Sequence, residues 1–233
     1  MHIHLPKPLH GWREFVGEVG IIVVGVLIAL GAEQVVETIH LGAETDALRA
    51  SMWNELGNDR ARWEITHAEY PCLRNWVAEM QQWTRTAPAG ATLAHAPSFA
   101  LWNTHVSTWE MARSSRSVAS MPLAERDALA DLYQALERQE RAIERAVEDW
   151  DNVLALAEAA DVRENRGALP LAIIKSRQSV TQLEIAYNYL EPRFQALDVA
   201  ANYGGLQMRG SNGVTRFPTA AHCPSATNEP SRH

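Results

Sequence analysis

The most apolar stretch of the chain lies near its N-terminus, where the fourteen residues 19–32 carry no charged side chain. An α-helix rises about 1.5 Å per residue, so this stretch covers roughly 21 Å of a hydrocarbon core about 30 Å thick. Extending the helix to residues 15–37 makes it long enough to cross, provided that Glu18 and Glu33 snorkel to the two interfaces. We predict a transmembrane helix over residues 15–37.

Two other interpretations of this segment stay open. A cleavable signal peptide has an apolar region of about 7–15 residues, and Leu30-Gly31-Ala32 is an acceptable cleavage site. A buried helix of a soluble core is the other alternative. Acids bracket the apolar stretch and the helical pattern continues past Ala32, which favours a retained anchor.

The charges that flank the predicted span indicate its orientation. Lys7 and Arg13 precede it, whereas residues 33–48 contain four acids and no Lys or Arg. The positive-inside rule therefore places residues 1–14 in the cytoplasm and the rest of the chain outside.

Small residues on the span predict association with another helix. Gly17, Gly25 and Ala29 lie on one four-residue ridge, and a small-xxx-small pair lets a second helix approach closely. Glu18 lies on nearly the same face, where it either snorkels as an anchor or contacts the other helix.

Beyond the span, apolar residues recur every three or four positions and no alternating strand pattern is found, so we predict an all-α fold. The expected architecture is an antiparallel four-helix bundle over residues 38–203, followed by an irregular tail over residues 204–233. The first helix should break or kink at Pro71. The later helices should cover residues 99–118, with Ser98 as N-cap, residues 121–165, and residues 170–197. The helix over residues 121–165 should bury a stripe at sevenfold spacing, formed by Leu129, Leu136, Ile143, Trp150 and Ala157.

Composition and charge exclude two classes of protein. The chain has 46% hydrophobic residues, too many for a disordered polypeptide. Lys and Arg total 21 against 28 for Asp and Glu, which gives a net charge of -7. This balance lacks the basic excess of a general nucleic-acid binder.

Two cysteines and nine histidines raise the question of covalent and metal sites. Cys72 and Cys223 both fall outside the cytoplasm on the charge argument, where a disulfide would persist and pin the tail to the bundle. The alternative is two unrelated thiols. No metal site is expected, because the histidines show no ligand spacing, and no cofactor is implied.

One predicted helix carries an aromatic and cationic stripe that could face a ligand or a partner. Its members recur at spacings of three and four, and they are Trp102, His105, Trp109, Arg113 and Arg116. Such a stripe can bind an anionic or aromatic group through cation–π and charge-assisted contacts. The alternative is that the tryptophans belong to the core and the arginines pair with acids. No catalytic constellation accompanies the stripe.

Two segments, GEVGIIVVGVLIAL at residues 17–30 and TWEMARSSRSVASMPLAERDALADLYQAL at residues 108–136, carry a resemblance. They resemble a family of uncharacterised bacterial single-span membrane proteins with a Gly-Glu-hydrophobic N-terminal anchor. Here Ser114-Ser115 precedes Arg116, where that family has glycine. The resemblance implies a retained anchor in a bacterial inner membrane, with the bulk of the chain periplasmic, and it implies no activity.

These expectations combine into one hypothesis about function. We expect a non-enzymatic, membrane-anchored helical protein that acts as a structural, scaffold or accessory subunit. Its partners would be membrane lipid and either a second copy of the chain or another membrane protein. The alternative is a ligand-sensing bundle that works with a separate output partner, because the short cytoplasmic segment is too small for an output domain.

Overall fold

The computed structural model describes residues 11–86, 104–158 and 167–206, and within these ranges the chain is helical without a strand. The all-α prediction is therefore confirmed. The helices are α1 (Trp12–Thr86), α2 (Ser107–Ala112), α3 (Arg116–Ser120), α4 (Leu123–Glu158) and α5 (Ala168–Ala196), and a 3₁₀ helix follows at Tyr203–Leu206.

Helix α1 contains 75 residues, which corresponds to a length of about 110 Å. It is the one helix among the described residues that is long and apolar enough to cross a membrane. Its apolar side chains near the N-terminus, such as Ile21 and Ile28, are exposed on all sides of the helix. This exposure contradicts the alternative of a buried core helix, whereas it leaves a signal peptide open.

Of the break or kink predicted at Pro71, the break is wrong, because α1 continues through this residue to Thr86, and the kink stays a prediction. Proline removes one backbone donor from the helical ladder, which ordinarily destabilises the helix interior. Packing on both sides offsets the loss. The Tyr70 hydroxyl donates a hydrogen bond of 2.8 Å to Glu184 of α5, and Leu73 is buried in the core.

Contacts of α1 with α4 show that these two helices run in the same direction. Near the membrane end, Arg49 of α1 forms a salt bridge with Glu125 at the start of α4. Farther out, the rings of Trp76 and Trp150 stack with centroids 6.4 Å apart. Both helices therefore lead away from the span.

Helix α5 runs back toward the span. Glu184 meets Tyr70 of α1, while Glu191, later in α5, lies 3.8 Å from Arg60, earlier in α1. Helices α4 and α5 make the most extensive contact among the elements. Pro192 lies inside α5, which continues through it to Ala196.

The described chain between α1 and α4 also returns toward the candidate span, and it does so as the two short helices α2 and α3. We call residues 104–120 the second pass. His105 lies beside Arg62, Thr108 binds Glu55, and Ser120 binds Thr45, in descending order along α1. The prediction of a continuous helix over residues 99–118 is thus wrong over its described part. Among the described residues, three long helices and this short second pass take the place of the four long helices expected.

Local competition for hydrogen bonds explains the interruption of that helix. Arg113 and Ser114 form a turn after α2, and the Ser115 side chain accepts a hydrogen bond of 3.2 Å from the Val118 amide. Serine hydroxyls satisfy backbone donors at helix starts and compete with the helical ladder. Ser115 is therefore the N-cap of a new helix, α3, at a point where the apolar spacing predicted one continuous helix. Residues Ser98 and Phe99 lie outside the described residues.

The core follows the predicted stripe of α4 closely. Leu129, Leu136, Ile143, Trp150 and Ala157, at sevenfold spacing, are all buried. The predicted start of the last helix at Pro170 lies within its observed first turn, since α5 begins at Ala168.

A reversal after α5 brings the chain back across α1. The amide of Val199 donates to the carbonyl of Phe194 and that of Asp198 to Gln195, the pattern of a Schellman motif. Asp198 has a φ of 50°, in the left-handed region that the motif requires. The following segment then crosses α1 at Gly57, whose carbonyl accepts a 2.8 Å bond from the Asn202 amide.

The crossing requires a residue without a side chain at position 57. A Cβ there would lie 3.0 Å from the Ala200 carbonyl oxygen, whereas a Cβ at Gly42 would meet nothing within 4 Å. We expect Gly57→Ala to destabilise the bundle by about 1–3 kcal/mol through overpacking. Gly42→Ala should stabilise the helix by up to about 1 kcal/mol. Urea unfolding followed by circular dichroism in detergent measures both, and equal effects of the two variants would contradict the close crossing.

Candidate functional site

The residues predicted to mediate association of the span lie on the exposed surface of α1. Gly17, Glu18, Gly25 and Ala29 are all exposed, and a Cβ at Gly17 or Gly25 would meet nothing within 4 Å. This ridge can therefore receive another helix. Its role in association stays a prediction.

The predicted aromatic and cationic stripe does not lie on one helix. His105 precedes α2, Trp109 lies within it, Arg113 follows it, and Arg116 begins α3. Trp102 falls outside the described residues. The described members of the stripe do not share one helical face, because the turn after α2 changes the direction of the chain.

Three members of the stripe have structural partners within the protein. The His105 Nδ1 atom lies 3.2 Å from the Arg62 guanidinium. The Trp109 ring stacks on Tyr133 of α4, with centroids 5.3 Å apart and planes 9° apart. The Arg116 guanidinium forms a 2.7 Å salt bridge with Glu37 of α1. These contacts favour the alternative of core packing and acid pairing for Trp109 and Arg116.

Only one of the two cysteines of the predicted disulfide lies among the described residues. Cys72 is buried in α1 and belongs to the hydrophobic core, while Cys223 lies outside the described residues. The disulfide stays a prediction. No cluster of metal-ligating side chains is found among the residues that were placed.

A pair of acids one turn apart on α1, Glu55 and Asp59, fastens the second pass to the bundle. The Glu55 carboxylate accepts hydrogen bonds from the Thr108 amide at 3.0 Å, the Thr108 hydroxyl at 2.8 Å and the Ser107 hydroxyl at 2.9 Å. It also accepts one from the Tyr133 hydroxyl of α4 at 3.1 Å. One side chain of α1 thus contacts both α2 and α4, and we call this set of hydrogen bonds the Glu55 hub.

Asp59 is fully buried beside this hub. Its Oδ1 accepts hydrogen bonds from the His105 amide at 3.0 Å and the Arg62 guanidinium at 2.8 Å. Its Oδ2 has no hydrogen-bond partner among the described residues. Removal from water raises the pKa of Asp59 to about 7, although the His105 and Arg62 contacts lower it. The repulsion from Glu55 raises it further.

A second feature, which the sequence analysis missed, is a groove of about 580 Å³ between α4 and α5. Small, mostly buried residues form its floor, namely Ala135, Ala142, Ser179 and Ala186. Four cations line it, namely Arg138, Arg141, Arg145 and Lys175. Asp149 is the one acid among its described lining residues. We call this feature the basic groove.

The cations of the basic groove are weakly neutralised by the protein itself. Arg141 lies 3.8 Å from Glu137, a long distance for a salt bridge on the surface. Arg145 donates to the Arg141 carbonyl, and Arg138 donates to the Gln134 side chain. Lys175 has no acidic partner in the described part of the chain. The groove is therefore positive on a chain whose net charge is -7.

The fold and these surfaces define an all-helical protein with one helix able to cross a membrane. No family model, no curated protein and no solved structure matches the chain. The resemblance to the single-span family therefore stays a prediction, and the function has to be argued from the geometry.

The Glu55 hub predicts a specific loss of stability. In Glu55→Gln, an amide group faces the hydroxyl and amide donors that the carboxylate now accepts, so hydrogen bonds are lost. We expect a loss of about 1–3 kcal/mol in the free energy of unfolding, measured by urea denaturation. Glu110→Gln is the matched control, because Glu110 is exposed on α2 near the same junction. An equal loss in both variants would count against the hub.

The raised pKa of Asp59 predicts a pH dependence of stability. The folded-state pKa of about 7 lies above the unfolded value of about 3.9, so the folded protein binds this proton more tightly. The contribution of Asp59 to stability should therefore rise as the pH falls from about 7 to about 4, by at most about 1.4 kcal/mol per pH unit.

Thermal or urea unfolding at several pH values measures this slope. Asp59→Asn should remove it, since the neutral amide does not titrate, while the exposed control Asp127→Asn should retain it. An unchanged slope in Asp59→Asn would show that another group is responsible.

Proposed function

We propose that this chain is a non-enzymatic, single-pass protein of a bacterial inner membrane whose periplasmic helical bundle serves as a structural, scaffold or accessory subunit. The N-terminus would lie in the cytoplasm and the anchor would be retained. The protein would act through contacts with membrane partners or with a second copy.

The continuity of α1 is the observation that carries this proposal. The helix that could cross the membrane continues without interruption into the bundle, where Met52, Leu56 and Met80 are fully buried. A tether that only retained an enzyme at the membrane would need no such rigidity. A continuous helix holds the bundle at a set height and orientation, which suits a subunit that positions another protein.

A contact at the outer end of the predicted span supports a set orientation of the bundle relative to the span. Although residues 33–48 contain no Lys or Arg, Arg116 of α3 pairs at 2.7 Å with Glu37, the last residue of the predicted span. The salt bridge attaches the base of the bundle to the end of the span. It also lowers the uncompensated negative charge at this interface.

A ligand sensor is the second candidate, and the same continuous helix favours it. A change in the bundle could reach the membrane along α1, and Asp59 lies buried where the second pass meets this helix. In this candidate the output would come from a separate partner. Both candidates therefore require association.

Purification in mild detergent from native membranes tests the requirement for association. We expect a defined oligomer or a stoichiometric companion, and a monodisperse monomer without a companion would overturn the proposal. A reporter that is active only outside the cytoplasm, fused after His233, tests the topology. Its inactivity there would overturn the orientation.

The small-residue ridge on the span predicts where self-association or partner association occurs. Gly25→Ile should weaken it about tenfold, because a bulky side chain prevents the close approach that packing requires. Val23→Ile, on the opposite face of the helix, is the control and should have little effect. Energy transfer between labelled chains in lipid vesicles measures self-association, and co-purification yield measures a partner. Equal behaviour of the two variants would exclude the ridge.

A further inference from the structure

We propose that the basic groove between α4 and α5 is the docking site for an acidic amphipathic helix of a partner protein. This inference rests on the proposed subunit function, since it identifies the surface by which the bundle would hold its partner.

The shape of the basic groove suits a helix. Small residues along the line where α4 meets α5, including Ala142 and Ser179, leave a trough between the longer side chains on either side. From Ala135 to Asp149 the groove follows α4 for fifteen residues, about 21 Å or four helical turns. Small residues at a contact allow helix axes to approach to 8–10 Å.

Exposed apolar side chains on α5 provide a contact surface along the same trough. Ile185 and Tyr189 line the groove and are 56% and 43% exposed. Leu171 and Ile174, 56% and 41% exposed, extend the same helical face past Lys175. Their spacings of three, eleven and four residues place these two apolar pairs on one helical face, with Gln178 and Gln182 between them. Exposed apolar pairs on one face offer contact area to an amphipathic helix.

The charges of the groove select an acidic occupant. Arg138, Arg141 and Arg145 form a row on α4 with spacings of three and four, over about 10 Å. Acids that recur every three or four residues on a facing helix would match this row. Because the chain as a whole is negative, the positive groove would also steer such a helix toward this surface.

The height of the groove disfavours anionic lipid of the membrane that anchors the chain. Glu55 contacts Tyr133 and Trp76 contacts Trp150, so residues 138–145 lie level with roughly residues 60–70 of α1. That level is about 35–50 Å beyond Val36 along the helix, farther than headgroups extend.

Other occupants fit the groove less well. A small anion would find the cations spread along an open trough, with Arg138, Arg141 and Arg145 all exposed. The chain's own remaining segments lack the required charge. Residues 207–233 contain three arginines and one acid, and residues 87–103 contain no charged side chain apart from histidine.

Site-specific photocrosslinking of the full-length chain in native membranes tests the proposal. A benzophenone amino acid replaces Gln182, which lines the groove, and the same probe at Asn188, exposed on α5 outside the groove, is the control. We expect a product at position 182 only. Sequencing of the attached segment should show an excess of acids and apolar residues at three-four spacing.

Charge variants separate docking from chance proximity. With the probe at position 182, the double variant R141E/K175E should lower the yield of the product about tenfold, and R141K/K175R should retain it. Higher ionic strength should also lower the yield.

Four outcomes would overturn the proposal: no product specific to position 182, a product with lipid, a product with a second copy of this chain, or a segment without an acidic excess. The proposal would also be overturned if R141E/K175E left the yield of the crosslinked product unchanged. If a companion still co-purifies in that case, the subunit function stands and only the groove assignment fails. If the chain is also a lone monomer, both fail.

Discussion

A single unbroken helix, α1, determines how every other part of this protein can be arranged. Its N-terminal part is apolar on all sides, while its outer part buries one face against α5 and makes side-chain contacts with α4. A helix surrounded by lipid needs no inward face, whereas a helix in water must cover its apolar stripe. Helix α1 changes from the first pattern to the second without a turn. The bundle is therefore built on an extension of the candidate span.

The elements that cover α1 are held by two kinds of interaction. Helices α4 and α5 pack through apolar side chains such as Trp150 and Tyr187, which is the usual source of helix-bundle stability. The short second pass adds apolar contacts through Val118 and Trp109, and it is also held by hydrogen bonds to Glu55 and Asp59. The contribution of the buried Asp59 is sensitive to protonation and to the loss of a partner group.

The distribution of charge separates the surfaces of the bundle. Acids predominate over the whole chain, yet α4 and α5 bring Arg141, Arg145 and Lys175 together along one line of contact. The small residues that let these helices pack closely also leave the trough that the cations border. Close packing and a positive groove therefore have a common cause, and the groove lies well away from the candidate span along α1.

Local sequence patterns determined the helices whose stabilising contacts repeat along one face. The sevenfold stripe through Leu136 and Ile143 predicted α4, and the long uncharged stretch predicted an exposed span. Only the tertiary structure decided that α1 continues through Pro71, because contacts from α5 offset the missing backbone donor. It also decided the Glu55 hub and the basic groove, which depend on side chains that lie about 30–80 positions apart in the sequence. The interruption at Ser115 has a local cause, the hydrogen bond from the Val118 amide to the serine hydroxyl, which the apolar spacing does not reveal. Helical periodicity carries no information about which distant residues will meet.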